Sequence, residues 1–102
     1  MYINVVSKLD KKISVTKDRW QLIVKTKHPE LEDKKNEVQE TLTNPDEIRL
    51  SKSDQSVYLY YKNYGKLSLV VVAKHPNGEG FIITSYFTDK IKEGKQIFER
   101  QS

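Results

Sequence analysis

The sequence predicts an α+β fold: an N-terminal β-hairpin, two helices, then a four-stranded antiparallel meander with the helices packed on one face. Three observations carry this expectation. β-Branched and aromatic residues cluster in short runs at both ends of the chain. The middle, from residue 17 to 43, instead spaces its apolar residues at helical intervals. Turn-forming pairs such as Asn44-Pro45 and Asn77-Gly78 separate the segments. Runs of strands set apart from runs of helices make a layered α+β domain.

Each element follows from its residues. Residues 2–6 and 12–15 flank Lys8-Leu9-Asp10-Lys11 and read as a small hairpin. Thr16 offers a hydroxyl to cap a helix that begins at Lys17. Trp20, Ile23 and Val24 form that helix's apolar stripe, with Asp18 and Lys25 opposite, Arg19 on its flank, and Lys27 and His28 near its end. His28-Pro29 breaks the helix, because proline disfavours helical geometry in the residue before it and suits a new first turn. A second helix is expected over residues 29–43, with Leu31, Val38 and Leu42 inward.

Four strands are expected over residues 48–51, 57–62, 66–74 and 80–88. The second alternates, with Val57, Leu59 and Tyr61 on one face and Tyr58, Tyr60 and Lys62 on the other. The third is nearly continuous apolar and reads as a central strand covered on both faces. The fourth divides Phe81, Ile83, Ser85 and Phe87 from Ile82, Thr84 and Tyr86. The helix-free face is expected to present Tyr, Lys and Thr side chains, an RNA platform on which bases stack and phosphates meet lysine. The tail from Asp89 is expected to add a turn of helix, kept short by Gly94.

Composition narrows the chemistry. The chain has 102 residues and reads as a single domain over 1–102. It has no cysteine, so disulfides, thiolate zinc sites and cysteine nucleophiles are excluded. Two histidines cannot make an all-histidine metal site, and no spacing suggests a mixed one; neither metal nor cofactor is expected. The longest apolar run, residues 69–73, is far short of the roughly 20 residues that span a bilayer, and the N-terminus lacks signal-peptide character. A cytoplasmic protein with no membrane partner is the expectation. The net charge of +4 favours an anionic partner, with a solubilising surface as its plainer meaning. The four glycines have neither P-loop nor dinucleotide spacing.

What remains is a metal-free set of His, Lys, Arg, Tyr and Thr. It suits RNA cleavage, in which the substrate brings its own 2′-hydroxyl nucleophile and the protein moves protons and neutralises charge. His28 has the right intrinsic pKa, although a histidine before proline also caps or packs. His75 abuts Pro76 and reads as an exposed loop residue. Arg19 is a phosphate ligand or a solvated helix face. Arg49 points into a cleft or pairs with Asp46 or Glu47. Tyr58 and Tyr60 read as sheet packing as readily as a base platform. Thr84 and Tyr86 draw notice only because they share the less apolar face. Lys62 and Lys74 end strands, where lysine is common.

The order of several short motifs resembles a known family. These are Val15-Thr16-Lys17-Asp18-Arg19-Trp20, Lys27-His28-Pro29-Glu30, Thr41-Leu42-Thr43-Asn44-Pro45-Asp46-Glu47-Ile48, Val57-Tyr58-Leu59-Tyr60-Tyr61-Lys62, Leu69-Val70-Val71-Val72 and the run from Gly80 to Lys92. Over residues 13–98 the chain resembles the phage-type branch of the barnase–EndoU–colicin–RelE nuclease superfamily. The resemblance implies a RelE-like fold, metal-independent endoribonuclease activity in toxin or phage-conflict settings, and partners that include RNA and an antitoxin-like protein. Matching positions make His28, Thr84 and Tyr86 the catalytic candidates. Arg19 and Lys62 match as phosphate ligands, and Arg49 and Tyr60 join them as substrate-binding candidates from the reading of the residues. The resemblance departs at Leu22, near which such sequences often carry a second histidine. Leucine transfers no protons, so a non-catalytic module binding RNA or protein through the same face is the alternative.

Overall fold

The computed structural model describes residues 1–90 and 93–101. Among these, the elements run β1 (Ile3–Val6), β2 (Lys12–Val15), α1 (Lys17–Thr26), α2 (Lys35–Thr43), β3 (Glu47–Leu50), β4 (Val57–Tyr64), β5 (Leu67–Lys74), β6 (Glu79–Thr88) and β7 (Lys95–Glu99). A 3-10 turn over Pro29–Leu31 separates the helices, so the second helix is shorter than expected. The α+β class stands. The four-stranded sheet does not: all seven strands form one mixed sheet in the order β1-β2-β6-β5-β4-β3-β7. Strands β3 to β6 are successive antiparallel neighbours at its centre.

Both edges are additions. β1 and β2 pair antiparallel as the expected hairpin, but β2 then lies parallel to the start of β6, with Lys12, Ile13 and Ser14 opposite Glu79, Gly80 and Phe81. Gly80 permits the start of β6 to lie close against the end of β5, since a Cβ there would sit 2.5 Å from the His75 Cβ and the Lys74 carbonyl oxygen. At the other edge β7 pairs antiparallel with β3. A helical turn was expected in this tail, of which Ile91 and Lys92 lie outside the described residues. Lys95–Glu99 is instead extended, because Phe98 packs against the main core and the β3 edge is open to pairing. Gly94 enters β7 with φ at +84°, and a Cβ there would meet the Leu50 carbonyl oxygen at 2.3 Å.

One core lies between the helices and one sheet face. Trp20, Ile23 and Val24 of α1, Leu31 of the 3-10 turn, and Val38 and Leu42 of α2 pack on Ile3, Ile13, Ile48, Tyr60, Leu69, Val71, Ala73 and Ile82. The helices thus share a face, as expected. A smaller cluster of Leu59, Tyr61 and Val70, joined by Val72 and Tyr86, covers the opposite face. β5 is the middle strand and buries residues on both faces, as its apolar run predicts.

The alternation of β4 is as expected, but its sidedness is reversed. Tyr58, Tyr60 and Lys62 lie with the helix-side residues Ala73, Val71 and Leu69, whereas Leu59 and Tyr61 lie with Val72 and Val70. In β6 the expected division fails midway. Val72 pairs with Thr84 and Ala73 with Ile82, leaving Ile83 as an extra residue in a bulge. Phe81, opposite Lys74, therefore shares a face with Thr84 and Tyr86, while Ile82, Ser85 and Phe87 face the helices.

Candidate functional site

Thr16 caps α1 as expected: its Oγ1 accepts a hydrogen bond from the Arg19 backbone N–H at 3.1 Å. The cap fixes where the helix starts, and β2 fixes its origin at the sheet edge. β2 pairs only with the first three residues of β6. Beyond them α1 flanks β6, and a groove of about 160 Å³ lies between the two, lined by Arg19, Leu22, Thr26, Lys27, Ile83 and Thr84. The Thr84 hydroxyl is buried there without a hydrogen-bond partner among the described residues. Arg19 and Lys27 make no ion pair among the described residues. Two cations and an unsatisfied hydroxyl around one groove make an anion-accepting constellation.

His28 lies two residues beyond the end of α1 and directly follows Lys27, which lines this groove. Its backbone N–H donates to the Ile23 carbonyl oxygen at 3.0 Å, and its side chain caps nothing. The ring lies 5.8 Å from the Tyr86 ring, centroid to centroid, across 58 residues of sequence. Its Nδ1 is 3.4 Å from Glu30 Oε2. A carboxylate at Nδ1 favours the proton on that nitrogen and leaves Nε2 as the acceptor. The side chain is 26% exposed, open enough to meet a ligand. Burial first, then the Glu93 carboxylate, raises the Tyr86 pKa, so its phenol keeps its proton. Arg19, Lys27 and Thr84 thus line one groove, and His28 and Tyr86 form a neighbouring pair: Lys27 precedes His28 in sequence, and Thr84 shares the β6 face of Tyr86. Lys27 stood out only as the neighbour of His28 at the helix end.

Three candidates lie elsewhere. Tyr60 is fully buried on the helix side, where its hydroxyl donates to Ser7 Oγ at 2.9 Å and meets His75 Nε2 at 3.2 Å. A residue sealed in the core offers no platform for a base. Lys62 is also buried, and its Nζ donates to the Asn44 carbonyl oxygen at 2.9 Å, which closes the C-terminal end of α2. Arg49 is committed to an ion pair with Glu47 and to the Gly94 carbonyl oxygen at 2.9 Å. It borders a separate cavity of about 650 Å³ with Ser51, Lys52, Leu59 and Val72. That cavity has no histidine in its wall; its ionisable lining is Arg49, Lys52 and Glu93.

The chain matches no family model, no curated protein and no solved structure. The site's chemistry therefore rests on its own residues.

His75 reverses another expectation. It is buried, not an exposed loop residue, and its ring stacks on Tyr58 at 3.8 Å. Burial first, then the Lys11 charge, lowers its pKa to about 4. The ring is neutral near pH 7 and belongs to the core network of Tyr60 and Ser7. Among the described residues, no group of three or more metal-ligand side chains is placed to hold an ion, and no helix is long and apolar enough to cross a membrane.

Proposed function

We propose that the protein is a metal-independent RNA endonuclease of the barnase–EndoU–colicin–RelE kind, with its site at the junction of α1 and β6. The observation that carries this reading is the approach of His28 to Tyr86 beside the groove of Arg19, Lys27 and the unpartnered Thr84 hydroxyl. In the cleavage step His28 Nε2 takes the proton of a ribose 2′-hydroxyl. The 2′-oxygen then bonds to the adjacent phosphorus while the bond from phosphorus to the 5′-oxygen breaks. Tyr86 protonates the departing 5′-oxygen, leaving a 2′,3′-cyclic phosphate and a 5′-hydroxyl. Arg19 and Lys27 balance the charge that builds on the non-bridging oxygens, and Thr84 donates a hydrogen bond to one of them.

The experiment is cleavage of single-stranded RNA in excess chelator. His28→Ala is expected to reduce the rate by about 10²- to 10⁴-fold at an unchanged melting temperature. Leu22 lines the same groove and is 52% exposed, so an imidazole fits there; Leu22→His is expected to raise the rate. Cleavage that survives His28→Ala, or that vanishes with chelator, overturns the assignment. The exposed leucine also favours a second reading, RNA binding without cleavage. Salt-sensitive RNA affinity with no cleavage, including in Leu22→His, would select it.

A further inference from the structure

We infer that Phe81 is a base-stacking subsite and that the substrate class is an unpaired RNA strand; the inference rests on the RNA-binding element of the proposed function. Phe81 is a large aromatic side chain left 49% exposed. The bulge at Ile83 sets it on the same face of β6 as Thr84 and Tyr86. In a regular strand, residues 81 and 84 would point to opposite faces. Their β5 partners, Lys74 and Val72, stand two residues apart, which puts Phe81 about 7 Å from Thr84 along the sheet.

Arg19 lies between the two positions. A cavity of about 360 Å³ beside Phe81 is lined by Met1, Thr16, Arg19 and Ile82. Arg19 also lines the groove that holds Thr84 and Lys27. One arginine, with no carboxylate paired to it among the described residues, thus forms a wall shared by both hollows. A cation between two adjoining hollows, with an aromatic at one of them, matches the phosphates and bases of a single strand. A duplex keeps its bases stacked on each other and offers Phe81 none.

The test measures affinity of the wild-type protein for a fluorescein-labelled 2′-fluoro oligouridylate, which lacks the nucleophile and stays intact, and for its duplex with a complementary strand. Phe81→Ala and Phe81→Leu are expected to weaken single-strand binding about tenfold, because neither keeps a π-face. Phe81→Trp is expected to retain it and to show emission quenched by the strand. Duplex binding is expected to be weaker and indifferent to all three changes. Melting temperatures check folding, which a half-exposed side chain does not threaten. Single-strand affinity unchanged in Phe81→Ala, or equal losses for strand and duplex, overturns the subsite. Absence of cleavage by the wild-type protein, with the Phe81 effect intact, defeats the nuclease reading alone and leaves the subsite standing. No RNA binding by the wild-type protein at low salt defeats both.

Discussion

A proton on both nitrogens of His75 would leave Nδ1–H buried with nothing to receive it, since that atom has no partner among the described residues. The same ring contacts Tyr60, which in turn donates to Ser7 Oγ, and Ser7 Oγ accepts the backbone N–H groups of Leu9 and Lys11. The sign of the pH effect follows. With the pKa lowered from 6.5 to about 4, the folded state resists protonation more than the unfolded chain does. The stability supplied by the neutral ring is whole above pH 6.5 and is lost as pH falls toward 4, by about 3 kcal/mol in all. Urea titrations between those limits should show a falling stability that His75→Gln flattens; equal slopes would acquit the ring. Tyr60→Phe removes the hydroxyl that satisfies both Ser7 and His75, and is expected to cost about 1–3 kcal/mol at any pH. The network was hidden in the sequence because His75 stands beside Pro76 and Asn77-Gly78, the composition of an exposed turn.

Among the elements, the hairpin, the capped start of α1 and the break at Pro29 were legible, since each is written in local chemistry. Thr16→Ala removes the cap and should lower stability by about 1 kcal/mol in chemical denaturation. It should also reduce RNA affinity through Arg19, whose N–H it releases. The two edge pairings were not legible. β2 joins β6 across most of the chain, and β7 is a largely exposed strand in which Phe98 alone is partly buried. Pairing of this kind depends on which edge is vacant, a property of the assembled sheet. The sides of β4 were misassigned for a related reason: alternation separates two faces but does not say which one the helices will cover. Of the proposed site, His28, Thr84, Tyr86 and Arg19 were candidates by residue type and order, and which of them lie near one another depends on the fold. Lys62, Tyr60 and Arg49 carry suitable functional groups that turn out to be engaged by Asn44, by Ser7 and His75, and by Glu47 and Gly94.

Across the whole molecule, the hairpin is part of the core, not an appendage. Ile3, Ile13 and Val15 are all buried among residues of both helices and the central strands. At about 1.5–3 kcal/mol each, their removal would cost roughly 5–9 kcal/mol, close to the whole stability of a small domain. A chain lacking residues 1–15 should therefore show no cooperative melting transition; a sharp one would mean the hairpin folds apart. Charge acts at this scale too. If Arg19 and Lys27 each neutralise a phosphate, log affinity for single-stranded RNA should fall against log salt with a slope near −1.4, and Arg19→Gln should remove about 0.7 of it.

The extra residue in β6 invites a probe that substitution cannot supply. Excising Ile83 would restore an uninterrupted two-residue rhythm while keeping every other side chain of the strand on its present side. Such a shortened chain should still fold, yet its straightened ribbon would draw Thr84 away from α1 and uncouple foldability from ligand recognition. Function would then reside in a comma, not in a word, of the polypeptide's text.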